Sequence, residues 1–221
     1  PANVTSHAKT VAAAGVDSRS IQSDLSAILV LPSEGKDIVI EKVSLQDSSA
    51  FTLKTEVKKG TLSVDWRGKD DQSYYMNVDQ ENMVNALRIR LPEGKKFDIS
   101  IDQGSGIVRV VEPTGSILGK TANGFILVDG EALQNDCKLV ATNGKLDVQV
   151  NLVAAPLSME VVNGSALLEA KEATGALDLS AVNGKVSASL GKIKDGSFTA
   201  TNGRVDLEVG RISGDVEAKV R

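Results

Sequence analysis

An all-β solenoid with coils of about 20 residues is the fold class that this 221-residue sequence predicts, on three observations. The first is a recurring dipeptide: Asn123-Gly124, Asn143-Gly144, Asn163-Gly164, Asn183-Gly184 and Asn202-Gly203, spaced by 20, 20, 20 and 19 residues. A fixed period in this range marks a stack of similar units rather than a single globular core. The second is an apolar/polar alternation on both sides of every Asn. The third is composition: residues are 41% hydrophobic but only 3% aromatic, so the interior must be built from Val, Ile, Leu and Ala.

In chain order, residues 1–23 form an N-terminal arm or cap, because a solenoid end needs its apolar surface covered. Residues 24–95 read as irregular β coils, with strand-like runs at Leu25–Leu31, Lys36–Leu45, Phe51–Val57, Thr61–Trp66 and Ala86–Leu91 and no Asn-Gly. Residues 96–221 are the regular coils, continuous with 24–95 as one domain. Counting 20 back from Asn123 reaches Gln103-Gly104, the expected first unit, with an amide homologue in place of Asn.

Within each regular unit, positions three, five and seven after the Asn are nearly all apolar: Leu146, Val148 and Val150, for example, or Val186, Ala188 and Leu190. The positions between them are mostly polar, as in Lys145, Asp147 and Gln149. Upstream, Cys137, Leu139 and Ala141 or Leu177, Leu179 and Ala181 repeat the pattern. Period two means strands with one buried and one wet face. Each unit thus holds two strands, an Asn-Gly corner and a second corner often marked by glycine, as at Gly115, Gly175, Gly196 and Gly214.

Asn-Gly is also the strongest short hairpin signal, so an antiparallel meander satisfies the same parity. Near-constant period and inward columns of constant size favour the parallel stack. A membrane barrel needs aromatic girdles that this composition cannot build. In a stack, Asn143 and its equivalents tolerate left-handed backbone, the following Gly relaxes the penalty for positive φ, and stacked Asn side chains hydrogen-bond from coil to coil. The column Asn123, Asn143, Asn163, Asn183, Asn202 with Gly124, Gly144, Gly164, Gly184, Gly203 is therefore read as structural.

Bulk properties exclude several functions. A net charge of -4 with scattered Lys and Arg lacks the footprint of a nucleic-acid binder. No apolar run is long enough to span a bilayer, so direct membrane insertion is not expected. One histidine, His7, and one cysteine, Cys137, leave no zinc set, no His-based triad and no internal disulfide. Cys137 occupies an inward position, the place of an inert buried thiol. The chain starts at Pro1, as expected if a leader has been removed or the start trimmed.

Chemistry-bearing candidates are few. Outward Asp129, Asp147, Glu169, Asp206 and Glu208 interleave with Lys145, Lys185 and Arg204, the pattern of a solvated face rather than a catalytic cleft. Asp102-Gln-Gly-Ser-Gly106 carries one carboxylate and reads as a turn rather than a metal loop. No catalytic, cofactor or metal residue is assigned. Trp66, Tyr74 and Tyr75 are the one concentration of large amphipathic side chains; they are the candidate recognition residues, with core packing or capping the competing role.

The run from Leu87 to Val110, containing Leu91-Pro92-Glu93-Gly94-Lys95-Lys96-Phe97, followed by coils such as Ala141–Val150, resembles the bacterial putative-adhesin family of β-helix domains of unknown function, autotransporter-adhesin-head-like. The likeness covers roughly residues 24–221. It implies a right-handed parallel β-helix carried on exported or membrane-anchored envelope proteins, and it brings no catalytic residues. The expected function is a non-enzymatic surface or envelope module, an adhesin or scaffold, extracytoplasmic, whose partner is a protein or carbohydrate at the cell surface. Self-association through an uncapped C-terminal end is a further expectation, and a carbohydrate-binding or carbohydrate-active β-helix is the alternative.

Overall fold

The computed structural model describes residues 4–24, 26–45, 51–68, 83 and 85–221. Among them there is no helix. Fourteen strands join one sheet system wound into a β-solenoid of about six turns. Seven of them build the N-terminal end: β1 Val4–Val11, β2 Ser18–Asp24, β3 Ser26–Ser33, β4 Ile38–Leu45, β5 Phe51–Lys58, β6 Thr61–Gly68 and β7 Ala86–Pro92. The regular coils follow as β8 Asp98–Val111, β9 Ile117–Leu133, β10 Cys137–Val153, β11 Leu157–Ala173, β12 Leu177–Ile193, β13 Gly196–Ile212 and the half-coil β14 Val216–Val220.

From β8 to β14 every pairing is parallel and in coil register, which decides against the antiparallel meander. Cys137 faces Leu157, Leu157 faces Leu177, and Asn143 faces Asn163. The strand runs on through the Asn-Gly corner, with only the residue before each Asn out of the pairing there, so each full coil is one bent 17-residue strand rather than two short ones. The alternation was decisive for burial: Leu146, Val148, Leu139 and Ala141 are fully or almost fully buried, and equivalent positions of neighbouring coils stack into one continuous core.

The register corrects the start of the Asn-Gly beat. Ser105-Gly106, not Gln103-Gly104, faces Asn123-Gly124, because the coil between β8 and β9 is two residues shorter than the 20-residue coils that follow it. Gln103 instead faces Thr121 inside the solenoid. An even offset leaves parity unchanged, which is why Ile99 and Ile101 are nevertheless buried as expected. The Asp102–Gly106 run, expected as a turn, is continuous strand.

The N-terminal half departs from simple stacking. Strands β2 and β3 lie on successive halves of β8, but β6 and β7, later in the chain, cover β2 and β3 from the other side. The first coil is therefore sandwiched between the second and the third. No constant beat survives such an order. Strand β5 then pairs antiparallel with β6 through the Lys59-Gly60 turn, while β4 and β1 add antiparallel strands outside β7. These close the end. Strand β2, inside the stretch read as arm or cap, belongs to the parallel ladder itself. On the outer face of β3 and β7, Ala27, Leu29, Val43, Met83 and Ala86 form a second small core.

Candidate functional site

The corner column is held by an amide ladder. Each Asn Nδ2 donates to the Oδ1 of the coil before: Asn143 to Asn123 at 2.9 Å, Asn163 to Asn143 at 2.8 Å, Asn183 to Asn163 at 2.9 Å and Asn202 to Asn183 at 3.1 Å. All five side chains are exposed, so each bond contributes on the order of 1 kcal/mol or less. The glycines matter more. Gly144, Gly164 and Gly184 adopt φ of 151°, 140° and 154°, and a Cβ on any of them would lie within 1.9 Å of the carbonyl oxygen of the preceding corner glycine. Coils approach here as backbone on backbone. Inside the solenoid, beside the first corner, Gln103 is buried, donates its Nε2 to Ser26 O at 3.2 Å and accepts from Thr121 Oγ1 at 3.3 Å.

On the regular coils several outward charges pair locally. Arg109 forks onto Asp129, Lys145 meets Asp147 at 2.8 Å, Lys185 meets Asp206 at 2.9 Å, and Arg204 also reaches Asp206. The hydrogen bonds from Lys185 and Arg204 hold the Asp206 carboxyl below its ordinary range. Asp147 is only 7% exposed, so this face is less wet at that position than the alternation implied; Lys145 and Gln149 of its own strand reach its carboxylate. Among the described residues no three His, Cys, Asp or Glu side chains converge as a metal set. Cys137 is buried, and desolvation pushes its thiol up to about 12.

Polar hollows lie on the first coils and reach onto β9 and β10. On the outer face of β5, β6, β2 and β8, register aligns Ser63, Ser20 and Ser100 in one column and Asp65, Gln22 and Asp102 in the next. A hollow of about 270 Å³ is lined by Ser20, Gln22, Lys54, Glu56, Ser63 and Asp65. A second of about 240 Å³ shares Gln22 and adds Asp24, Arg67, Asp102 and Gly104. Further along the sheet, Ser18, Ser100, Ser116, Asp136 and Lys138 line a third of about 350 Å³. Ser116 N donates to Asp98 Oδ1 at 2.8 Å, and that bond lowers the Asp98 carboxyl.

The recognition candidates fare differently. Trp66 is fully buried and stacks on Phe51 at 4.9 Å, with Lys42 Nζ 5.8 Å from its ring. Its inward parity in β6 places it in the core, the packing role weighed against recognition from the sequence. Tyr74 and Tyr75 lie outside the described residues. Missed by the sequence reading was Arg19, buried in β2 with its guanidinium 3.9 Å from the Phe97 ring and Nη1 donating to Ser18 O. Burial lowers it to about 10, against the opposing pull of Asp17. Alternation with Ile21 and Ser23 was the available signal, but it is weak in so short a strand. Among the described residues, Arg19 Nε and Nη2, Ser23 Oγ, Ser26 Oγ and Trp66 Nε1 are buried without a hydrogen-bond partner, so polar groups concentrate inside the first coils.

Comparison with solved structures finds similar chains at low identity. A putative cell adhesion protein from Clostridium sporogenes is 12% identical over 99% of this chain and 100% of its own, with a TM-score of 0.39. A putative adhesin from Bacteroides fragilis is 13% identical over 98% and 97%, with a TM-score of 0.41. A putative lipid binding protein from Parabacteroides distasonis is 14% identical over 99% and 96%, with a TM-score of 0.35. No curated protein matches. The Toastrack DUF4097 family profile matches residues 17–219, from the loop before β2 to the last residues of β14, and the chain belongs to that family of domains of unknown function.

Proposed function

We propose that this domain is a non-enzymatic module of the bacterial cell surface or envelope, a rigid scaffold that engages a surface protein or carbohydrate through its N-terminal end. The observation carrying this reading is the division of the surface. Regular coils present an outward face of mixed charge on which several groups pair between adjacent residues and coils, as in Arg109–Asp129 and Lys185–Asp206. Two polar hollows sit on β5, β6, β2 and β8, and a third reaches from β2 and β8 to the start of β9 and β10. A stack of backbone-paired coils resists bending and holds that end at a fixed distance from the other. No helix among the described residues is long and apolar enough to cross a membrane.

Carbohydrate binding is the second reading, favoured by the hydroxyls, amide and carboxylates around Gln22. Such groups recognise sugar hydroxyls by directional hydrogen bonds, while convergent carboxylates at glycosidase separation would be needed for hydrolysis. The test is binding of the purified chain to a glycan microarray and to intact bacterial cells, alongside Ser20→Trp, which fills the hollow. Loss of binding in Ser20→Trp with unchanged melting supports the N-terminal face. Equal binding by both proteins overturns it, and release of reducing ends from any bound glycan overturns the non-enzymatic reading.

A further inference from the structure

We infer that the turns entering β6, β2 and β8 form a cationic corner that takes the carboxylates of an acidic polysaccharide. This assignment rests on the surface-carbohydrate reading of the N-terminal end, and it names the class of carbohydrate.

Topology builds the corner. Thr61, Ser18 and Asp98, which open β6, β2 and β8, lie side by side in register. Asp17 N donates to Gly60 O at 2.9 Å and Asp98 N to Asp17 O at 3.1 Å, so the residues just before those strands are stacked as well. Lysine pairs from distant parts of the chain are thereby brought together: Lys58-Lys59 in the turn before β6 and Lys95-Lys96 in the loop before β8. Lys59 and Gly60, at φ of 50° and 76°, make the tight turn that exposes the first pair. With β2 between their strands, the pairs stand two strand spacings apart, about 10 Å. Along the sequence these lysines look scattered, and the sandwiched first coil gathers them. The corresponding turns of the later coils carry one lysine, Lys194, which is paired with Asp195.

Little of this charge is neutralised. Lys58, Lys59 and Lys96 make no ion pair with a described residue, while Lys95 lies 3.5 Å from Asp17 and also donates to Ala13 O. Behind Lys95 is Arg19: the ammonium is 5.5 Å and the buried guanidinium 3.9 Å from the same Phe97 ring, and Arg19 Nε and Nη2 have no partner. Lowered by burial to about 10, that guanidinium is still charged at neutral pH, and in the interior its field is screened less than that of a surface lysine. The opposing carboxylates are Asp17, Glu93 and Asp98, and Asp98 is already engaged by Ser116 N. Positive charge is therefore in excess here, on a chain whose net charge is -4. Such a patch draws anions and sets their orientation. A polyuronate has a carboxylate on every ring, and the advance of its disaccharide is close to the distance between the lysine pairs. One chain lying along the solenoid axis meets both pairs, whereas a single phosphate or headgroup meets one.

The purified 221-residue chain is titrated with alginate, a polyuronate, and with neutral dextran. Salt is set at about 0.01 M and about 0.15 M, between which the screening length falls from about 30 Å to about 8 Å. Alginate is expected to bind at low salt and at least about tenfold more weakly at the higher, and dextran at neither. The double change Lys58→Glu with Lys59→Glu, and separately Lys96→Glu, should each weaken alginate binding about tenfold or more at unchanged melting temperature. Lys171→Glu, an exposed lysine of β11 with the same change in net charge as Lys96→Glu, should stay within about twofold. The inference is overturned by no alginate binding at low salt, by undiminished binding in both lysine variants, by equal loss in Lys171→Glu and Lys96→Glu, or by binding of phosphatidylglycerol vesicles alone. Failure of the hollow reading is a separate result. Ser20→Trp should leave alginate binding unchanged, and cell binding that is lost in Ser20→Trp but retained in the lysine variants overturns the cationic corner alone.

Discussion

Replacing Gly164 by alanine tests the physical basis of the stack more sharply than any other change. The added Cβ would lie 1.8 Å from Gly144 O and 2.9 Å from its carbonyl carbon, on a residue whose φ is 140°. Neither strain can be relieved locally. An L side chain at that φ costs about 1–3 kcal/mol. Clearing the carbonyl oxygen means pushing β11 from β10 by more than an ångström, against a strand spacing near 4.8 Å that backbone bonding sets. Loss of two backbone or rung hydrogen bonds adds about 2 kcal/mol, so the total is about 3–5 kcal/mol. Urea unfolding followed by circular dichroism measures it as a fall in midpoint at unchanged slope. Gly35→Ala is the control: its Cβ would meet only Ser33 Oγ at 3.3 Å, and stability should stay within about 0.5 kcal/mol. Asn163→Ala, which removes two exposed rungs, should fall between them at about 1–2 kcal/mol. If Gly164→Ala is no worse than Asn163→Ala, the close-approach argument is refuted and the side-chain ladder, not the glycine column, sets coil spacing.

Trp66→Ala should cost about 3–5 kcal/mol in the same assay, because it empties a buried site stacked on Phe51; a change under 1 kcal/mol would contradict the core assignment. Cys137 should react with an aromatic disulfide reagent only as fast as the chain unfolds, and rapid labelling of the native protein would show that burial does not hold the thiol near 12. Acid should weaken the fold through carboxyls that are lowered in the native state. Hydrogen bonding lowers Asp98 and Asp206; at Glu41 burial pushes up, but the Ser6 hydroxyl and Arg88 outweigh it. Their stabilisation is present above the ordinary carboxylate range and lost as pH falls through it, so melting temperatures should drop below about pH 4 and stay level from pH 6 to 8. A flat profile down to pH 3 would remove these groups from the account.

Legibility followed periodicity. In the regular coils one residue's neighbours are its equivalents a coil away, so a column such as Cys137, Leu157 and Leu177 could be read by counting, and its burial followed from parity. Counting failed at Gln103-Gly104 because the connection before β9 is shorter, and a change of two residues leaves the hydrophobic pattern intact while moving the corner. Trp66 was legible in part: its position beside a polar loop left recognition open, while the alternation of Leu62, Val64 and Trp66 already pointed inward. Arg19 ran against the rule that charges face water; only the Phe97 ring, brought beside it by the pairing of β2 with β8, makes that position understandable.

By itself the sequence determined that this protein is a stack: the Asn-Gly period and alternating faces specify strand, corner and core without reference to anything distant. Tertiary structure alone decided how the first coils are ordered, that β6 and β7 wrap outside β2 and β3, and therefore where the polar hollows around Gln22 lie. The reason is range. A repeat encodes contacts between equivalent positions at constant separation, whereas the sandwiching of the first coil joins Ser20 to Ser63 and Ser100 across unequal stretches of chain that no local pattern records.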